Sequence, residues 1–325
     1  MSRRRVLLVI LVIGLGVVTR LWLTSERPSI AEPIPMPLSS EYDSIVARIA
    51  AIKPLHELKR PNQPGDWLEH FPEGGQTFAQ YVYLKQRPMH LDFTTIDVQP
   101  LGEFDESQQR IVDRTVEYMS HFFGVPVRKL DPLEMGEIPE SAQRMRRGER
   151  QILTTWIMYD ILKPRRDPKA IATIGLVTGD LWPGDLNWVF GQASLVDRVG
   201  VWSLHRNGDP RASDAAFQIC LRRTLKTAVH ETGHMLGIPH CSAYECCMNG
   251  SQSREESDRQ PLEFCHECQA KIWWTCDADP VQRARALVDF CQKEGLAEEA
   301  KQFQQEHESL KSANGLSAQE PNGRE

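Results

Sequence analysis

Between residues 91 and 204 the apolar positions switch repeatedly between a period near two and a period near 3.6. Leu91 to Val98 alternates as a strand does and stops at Pro100-Leu101-Gly102. From Ser107 onward Ile111, Val112, Val116, Met119, Phe122 and Phe123 recur at helical spacing, and Gly124-Val125-Pro126 closes that helix. A strand follows it. Gln143 to Lys163 carries Ile152, Leu153, Trp156, Ile157 and Leu162 at helical spacing and stops at Pro164, which predicts one helix. Ala170 to Thr178 is a continuous apolar run, as in a strand buried on both faces, and leads into Asp180-Leu181-Trp182-Pro183-Gly184-Asp185, read as a turn. Trp188 to Ala193 and Val199 to Leu204 are two further β segments. A long helix then starts near Ala215, with Phe217, Cys220, Leu221, Leu225 and Val229 on its inward side. This order predicts an α/β (α+β) domain in which a mixed sheet packs over the last helix.

The flanks read differently. Ile45, Val46, Ile49, Ala50 and Ile52 predict an amphipathic helix stopped by Pro54. Residues 61 to 90 hold Pro61, Pro64, Gly65, Pro72, Gly74 and Gly75, and are read as an extension that packs on the domain without chemistry of its own. Downstream, Ile272-Trp273-Trp274 packs on the domain. Pro280 opens a helix with Ala284, Leu287, Val288 and Cys291, Gly295 interrupts it, and a second helix runs from Leu296 to Leu310. The tail from Lys311 is too polar to fold. The expected division is 1–26 export segment, 27–40 Pro-rich linker, 41–89 extension, 90–279 main domain, 280–311 C-terminal helices and 312–325 disordered tail.

The N-terminus changes the expected compartment. Met-Ser-Arg-Arg-Arg precedes thirteen unbroken apolar or glycine residues, Val6 to Val18, the pattern of an export signal. Leu21-Trp22-Leu23 lengthens the run past Arg20, and no small-x-small cleavage site follows closely. A membrane anchor with the catalytic body outside the cytoplasm is expected. Cleavage, giving a secreted or periplasmic protein, is the alternative. At 325 residues, 41% hydrophobic and 25% charged, the rest is an ordinary globular chain. Its net charge of −6 bears on solubility and not on partners, whereas the acidic Glu255, Glu256, Asp258, Glu263 and Glu267 around the cysteines disfavour nucleic acid as a partner. A monomer is expected.

The chemistry concentrates at His230-Glu231-Thr232-Gly233-His234. Histidines four apart on a helix share one face and can grip a divalent metal together. Glu231 stands where it can act on a metal-activated water as general base. Gly237 can take a positive φ and end the helix, bringing His240 back as a third ligand and leaving a fourth position open. Cys241, Cys246, Cys265 and Cys268 offer a second zinc set. Disulfides or a ribbon-like module are the other readings of these four. All eight cysteines fall between Cys220 and Cys291, and Cys220, Cys247, Cys276 and Cys291 are left as free thiols or two disulfides.

The string His230 to His240 has the HExxHxxGxxH form of metzincins. With Cys241, Cys246, Met248 and the Cys265/Cys268 pair the chain resembles the archaemetzincin family over roughly residues 90 to 275. Asp180-Leu181-Trp182-Pro183, Phe190-Gly191-Gln192-Ala193 and Val199-Gly200-Val201-Trp202-Ser203-Leu204 are similar to that family's segments before the zinc helix. The resemblance implies a metzincin-like zincin domain with a Met-turn at Met248. It implies two Zn2+ per chain, a catalytic ion on His230, His234 and His240 and a structural ion on Cys241, Cys246, Cys265 and Cys268. It also implies a zinc peptidase acting on peptide or protein substrates, as an amino- or endopeptidase. Val199, Gly200, Val201, Trp202 and Ser203 are then the expected cleft-rim strand, with His205 a weaker candidate. The alternatives are a catalytically idle peptide-binding module tethered at the membrane and a zinc protein whose HExxH serves only folding.

Overall fold

The computed structural model describes residues 40–84, 88–185, 187–194 and 196–317, the last four without their side chains. The export segment, most of the Pro-rich linker and the end of the tail lie outside the described residues. Among the described residues no helix is long and apolar enough to cross a membrane. The elements run α1 (Ser40–Ile52), α2 (Trp67–His70), α3 (Phe78–Leu84), β1 (Thr95–Leu101), α4 (Glu106–Phe123), β2 (Val127–Lys129), β3 (Gln143–Arg146) and β4 (Glu149–Leu153). Next come α5 (Thr154–Trp156), which continues as a π-helical turn through Ile157–Leu162, then β5 (Ala170–Val177), β6 (Asp180–Trp182), β7 (Gly191–Ala193) and β8 (Val199–Ser203). Five helices close the chain: α6 (Asp214–Met235), α7 (Arg254–Arg259), α8 (His266–Cys276), α9 (Pro280–Lys293) and α10 (Ala297–Ser317).

The main sheet has the order β2-β1-β5-β8-β7, parallel except for β7, which is antiparallel to β8. Parallel strands are buried on both faces, which is why β5 and β8 read as apolar runs. On one face Ile96, Val98, Ile174, Leu176 and Trp202 pack with α4 and α6. On the other, Leu101, Val177, Val199 and Val201 pack with Ile157 and Leu162. The alternation in β1 therefore does not mark a solvated face. Asp97 is buried but holds Arg128 through two bonds of 2.8 and 2.9 Å, and Gln99 donates to the carbonyls of Pro100 and Asp131. Asp105 caps α4 in a capping box with Gln108, and Gly124 ends it at φ 66°.

Two expectations fail outside this sheet. Residues 143–153 form a hairpin and not the first half of a helix, because Arg147 (φ 51°) and Gly148 (φ 83°) make the left-handed two-residue turn that joins antiparallel strands. Only 154–162 is helical. Asp180–Trp182 is a strand and not a turn. It pairs in parallel with β4, completing a small β3-β4-β6 sheet over the lower core. At the C-terminus α10 continues past Lys311 to Ser317, so the expected disordered tail starts inside a helix.

The extension and the C-terminal helices meet around one buried polar cluster. His56 Nδ1 donates to the Ile52 carbonyl, and its Nε2 lies 3.2 Å from Glu306 and 3.5 Å from Glu263. Arg283 donates to the Phe122 carbonyl at 2.7 Å and to Gln269 at 3.0 Å, with its guanidinium 4.4 Å over the Phe122 ring. Burial, with the Glu306 charge beside it, pushes the Glu263 carboxyl well above its usual range. Arg283→Ala leaves this cluster without its fixed positive charge. It is expected to lower unfolding free energy by about 3–5 kcal/mol, measured by urea denaturation, whereas exposed Arg285→Ala is expected to change it by less than about 0.5 kcal/mol.

Candidate metal centre and cleft

Helix α6 begins at Ser213, whose side chain caps Ala216 N–H, and the chain turns at Gly237 with φ 85°. That turn carries His240 back over the helix end. His230, His234 and His240 come together with ring nitrogens within 4.8 Å of one another. Each Nδ1 already has a partner: His230 with the Cys247 carbonyl at 2.7 Å, His234 with the Ile238 carbonyl at 2.8 Å, and His240 with Glu73 at 2.9 Å. Carbonyls and carboxylates only accept, so each Nδ1 carries the hydrogen, and in the neutral ring the Nε2 keeps a lone pair. The Nε2 atoms of His230 and His234 stand 3.1 Å apart with no hydrogen to share. Two lone pairs at that separation repel, and a cation between them reconciles them. Burial pushes the His230 imidazole down to about 3, and burial with the neighbouring rings takes His234 well below its usual value. Both are held in the neutral, ligating form. The donor set fits zinc.

Glu231 lies buried beside the rings, and burial alone raises its carboxyl to about 8. It fits because β7 supplies a glycine: a Cβ on Gly191 would sit 3.1 Å from Glu231 Cγ and 3.0 Å from the Val201 carbonyl. A cavity of about 40 Å3 opens between β7 and α6, walled by Gly191, His230, Glu231 and His240. Beneath the rings Met248 is fully buried against Gly233, where a Cβ would come within 2.6 Å of its sulfur.

Cys241, Cys246, Cys265 and Cys268 also converge, with all sulfurs within 4.8 Å. Cys241 and Cys265 sulfurs are 3.8 Å apart, far beyond a covalent bond of about 2.05 Å. Cys246 sulfur accepts from the Met248 and Cys265 amides at 3.4 and 3.2 Å; neighbouring thiols hold the Cys241 thiol well below its usual range, while burial and the same neighbours push Cys246 well above it. All eight cysteines are free and buried, so the disulfide readings fail. Burial raises Cys220 to about 11 and Cys247, Cys276 and Cys291 to about 12, which leaves these thiols unreactive.

The expected cleft-rim strand is not one. Val199, Gly200, Val201, Trp202 and Ser203 lie between β5 and β7, buried and paired on both edges, so β8 has no backbone free for a substrate. The outermost strand at this end is β7. His205 pairs with Glu149 at 2.7 Å on the small sheet and does not line the cavity.

The extension brings chemistry that the sequence concealed. Glu73 fixes His240, and Trp67 stands edge-on to the same ring at 5.0 Å. Glu73 follows a proline and precedes two glycines, 167 residues from its partner, with no periodicity to mark it. Three of the acidic residues around the cysteines are likewise engaged inside the molecule. Glu256 accepts from Trp67 N–H, Glu267 from Phe78 N–H, and Asp258 holds Arg223. They form no acidic face for a basic substrate.

The pattern of Peptidase family M54 matches residues 101–273. Archaemetzincin-2 of Macaca fascicularis is 29% identical over 285 residues, covering 75% of this chain and 78% of that one. The archaemetzincin of Methanopyrus kandleri is 34% identical over 161 residues, covering 49% of this chain and 83% of that one. Its crystal structure superposes with a TM-score of 0.46 at 30% identity, covering 56% of this chain and 94% of that one. The Archaeoglobus fulgidus archaemetzincin, solved with malonate, gives a TM-score of 0.44 at 29% identity over 55% of this chain and 99% of that one. The family pattern spans more than half of the chain and lies across the histidine and cysteine clusters, and the chain accordingly belongs to Peptidase family M54, the archaemetzincins, and is a zinc metallopeptidase.

Proposed function

We propose that His230, His234 and His240 hold the catalytic zinc, that Cys241, Cys246, Cys265 and Cys268 hold a second, structural zinc, and that Glu231 is the general base of peptide-bond hydrolysis. The observation that carries this reading is the set of three Nδ1 hydrogen bonds, which leaves three Nε2 lone pairs with no protein partner but one another. When bound, zinc supplies a Lewis acid and makes water acidic near neutral pH.

The chain's own groups do the rest. Glu231, buried against Gly191, takes the proton from the attacking water and hands it to the leaving amine. Its burial favours holding a proton, and a cation on the imidazoles opposes that, so the carboxyl can both accept and release. The outer edge of β7 offers main-chain N–H and C=O groups to an extended peptide. The basic and apolar N-terminus supports a membrane anchor with this catalytic body outside the cytoplasm. Recovery of the full chain in the soluble fraction after cell lysis would sink that assignment.

Glu231→Ala is expected to keep two zinc ions per chain while peptide turnover falls by at least about a hundredfold. Unchanged turnover overturns the assignment, and an intact chain that binds peptides without cutting them would establish the idle module instead. Glu73→Ala removes the partner that orients His240. It is expected to weaken retention of one of the two ions by about 10–100-fold, read by chelator competition, with the second ion unaffected.

A further inference from the structure

Lys226 lies one helical turn before His230, on the same face of α6. It is only 4% exposed. Its ammonium donates to the carbonyls of Ser257 and Gln260 at 2.5 and 2.6 Å, where α7 ends. An ammonium has three hydrogens to donate. Among the described residues the third has no acceptor, and no carboxylate forms an ion pair with this lysine. A buried cation with no carboxylate in direct contact is costly; burial and the Arg222 charge pull the lysine down to about 7, against the weaker opposing pull of Asp258 and Glu299. Such a group gains most when an anion arrives beside it.

The space for that anion exists. Lys226 lines the same cavity as His230, Glu231 and His240, together with Thr227 and Ser251. Its roughly 40 Å3 accommodates about three water-sized groups. A carboxylate fits that space. Glu231 shares this wall and delivers the proton to the leaving amine, so the cavity receives the substrate residue that bears that amine.

We propose that Lys226 is a specificity-determining residue that makes this cavity a subsite for a carboxylate on the leaving-group residue of the substrate. This rests on the zinc-peptidase reading of the three histidines and Glu231. The carboxylate has two sources, an Asp or Glu side chain or the free C-terminus of a short leaving group.

The test uses the full zinc-loaded chain and fluorogenic peptides that differ only at the leaving-group residue. One arm compares Asp with Asn and Glu with Gln. The other compares a single leaving residue as free acid and as amide. For the wild type, kcat/KM is expected to favour the acid in at least one arm by roughly tenfold or more, and the arm that responds names the source. Lys226→Met is expected to level the two, and Lys226→Arg to retain the preference, with zinc content and circular dichroism checking the fold. Equal rates for acid and neutral peptides in both arms overturn the proposal, and they do so with the wild type alone. Affinity of the same peptides for Glu231→Gln, measured by fluorescence anisotropy, separates the two readings. Tighter binding of the acid without any Glu231-dependent cleavage would uphold this subsite and sink the catalytic assignment. Cleavage without acid preference would do the reverse.

Discussion

The structure depends on the hydrogen bond at the far side of each of three imidazole rings. A neutral histidine has one donor and one acceptor, and whichever nitrogen carries the hydrogen dictates what the other can do. Here Cys247, Ile238 and Glu73 claim Nδ1 in turn, and three Nε2 lone pairs face one point. Edge-on and tilted contacts between the rings restrain them further, with centroids 4.7 to 5.4 Å apart. On the proposed reading, zinc would complete an arrangement that the protein already holds in place.

Those partners come from parts of the chain that look unrelated to the site. Cys247 sits inside the cysteine cluster, so whatever fixes Cys246 and Cys265 also fixes the carbonyl behind His230. The Cys247 amide is in turn held by the Glu263 carbonyl at 2.8 Å, next to the buried polar cluster that joins His56, Arg283 and α10. Glu73 lies in the extension, within which Tyr42 and Phe78 stack on each other and which Glu267 tethers by accepting from Phe78 N–H. The extension and the cysteine cluster thus act on the metal centre through hydrogen bonds rather than by touching a substrate. Second partners of this kind orient ligands and raise their basicity.

The cleft shows the same division of labour. β8 is the structural strand, and its paired edges hold the sheet to α6. β7 is the short strand beside the chemistry, and its glycine is required because Glu231 needs the volume a Cβ would take. A strand's role followed from its place in the sheet order, and that order is a long-range property. Alternation and apolarity say whether a strand is buried, not whether it is last.

Local sequence was enough wherever a function is set within one or two turns of backbone. His230, Glu231, His234, Gly237 and His240 are legible because helix pitch and one left-handed glycine alone bring them together, and the CxxC pair is legible for the same reason. The capped α4 and the apolar β5 were equally plain. Tertiary structure decided the rest: that Arg147-Gly148 turns a hairpin out of an apparent helix, that β8 is interior, and that Glu73 stands behind His240. The last two depend on contacts between residues far apart in the chain, whose energies no local period records, and the hairpin adds to its own tight turn a pairing with the more distant β6.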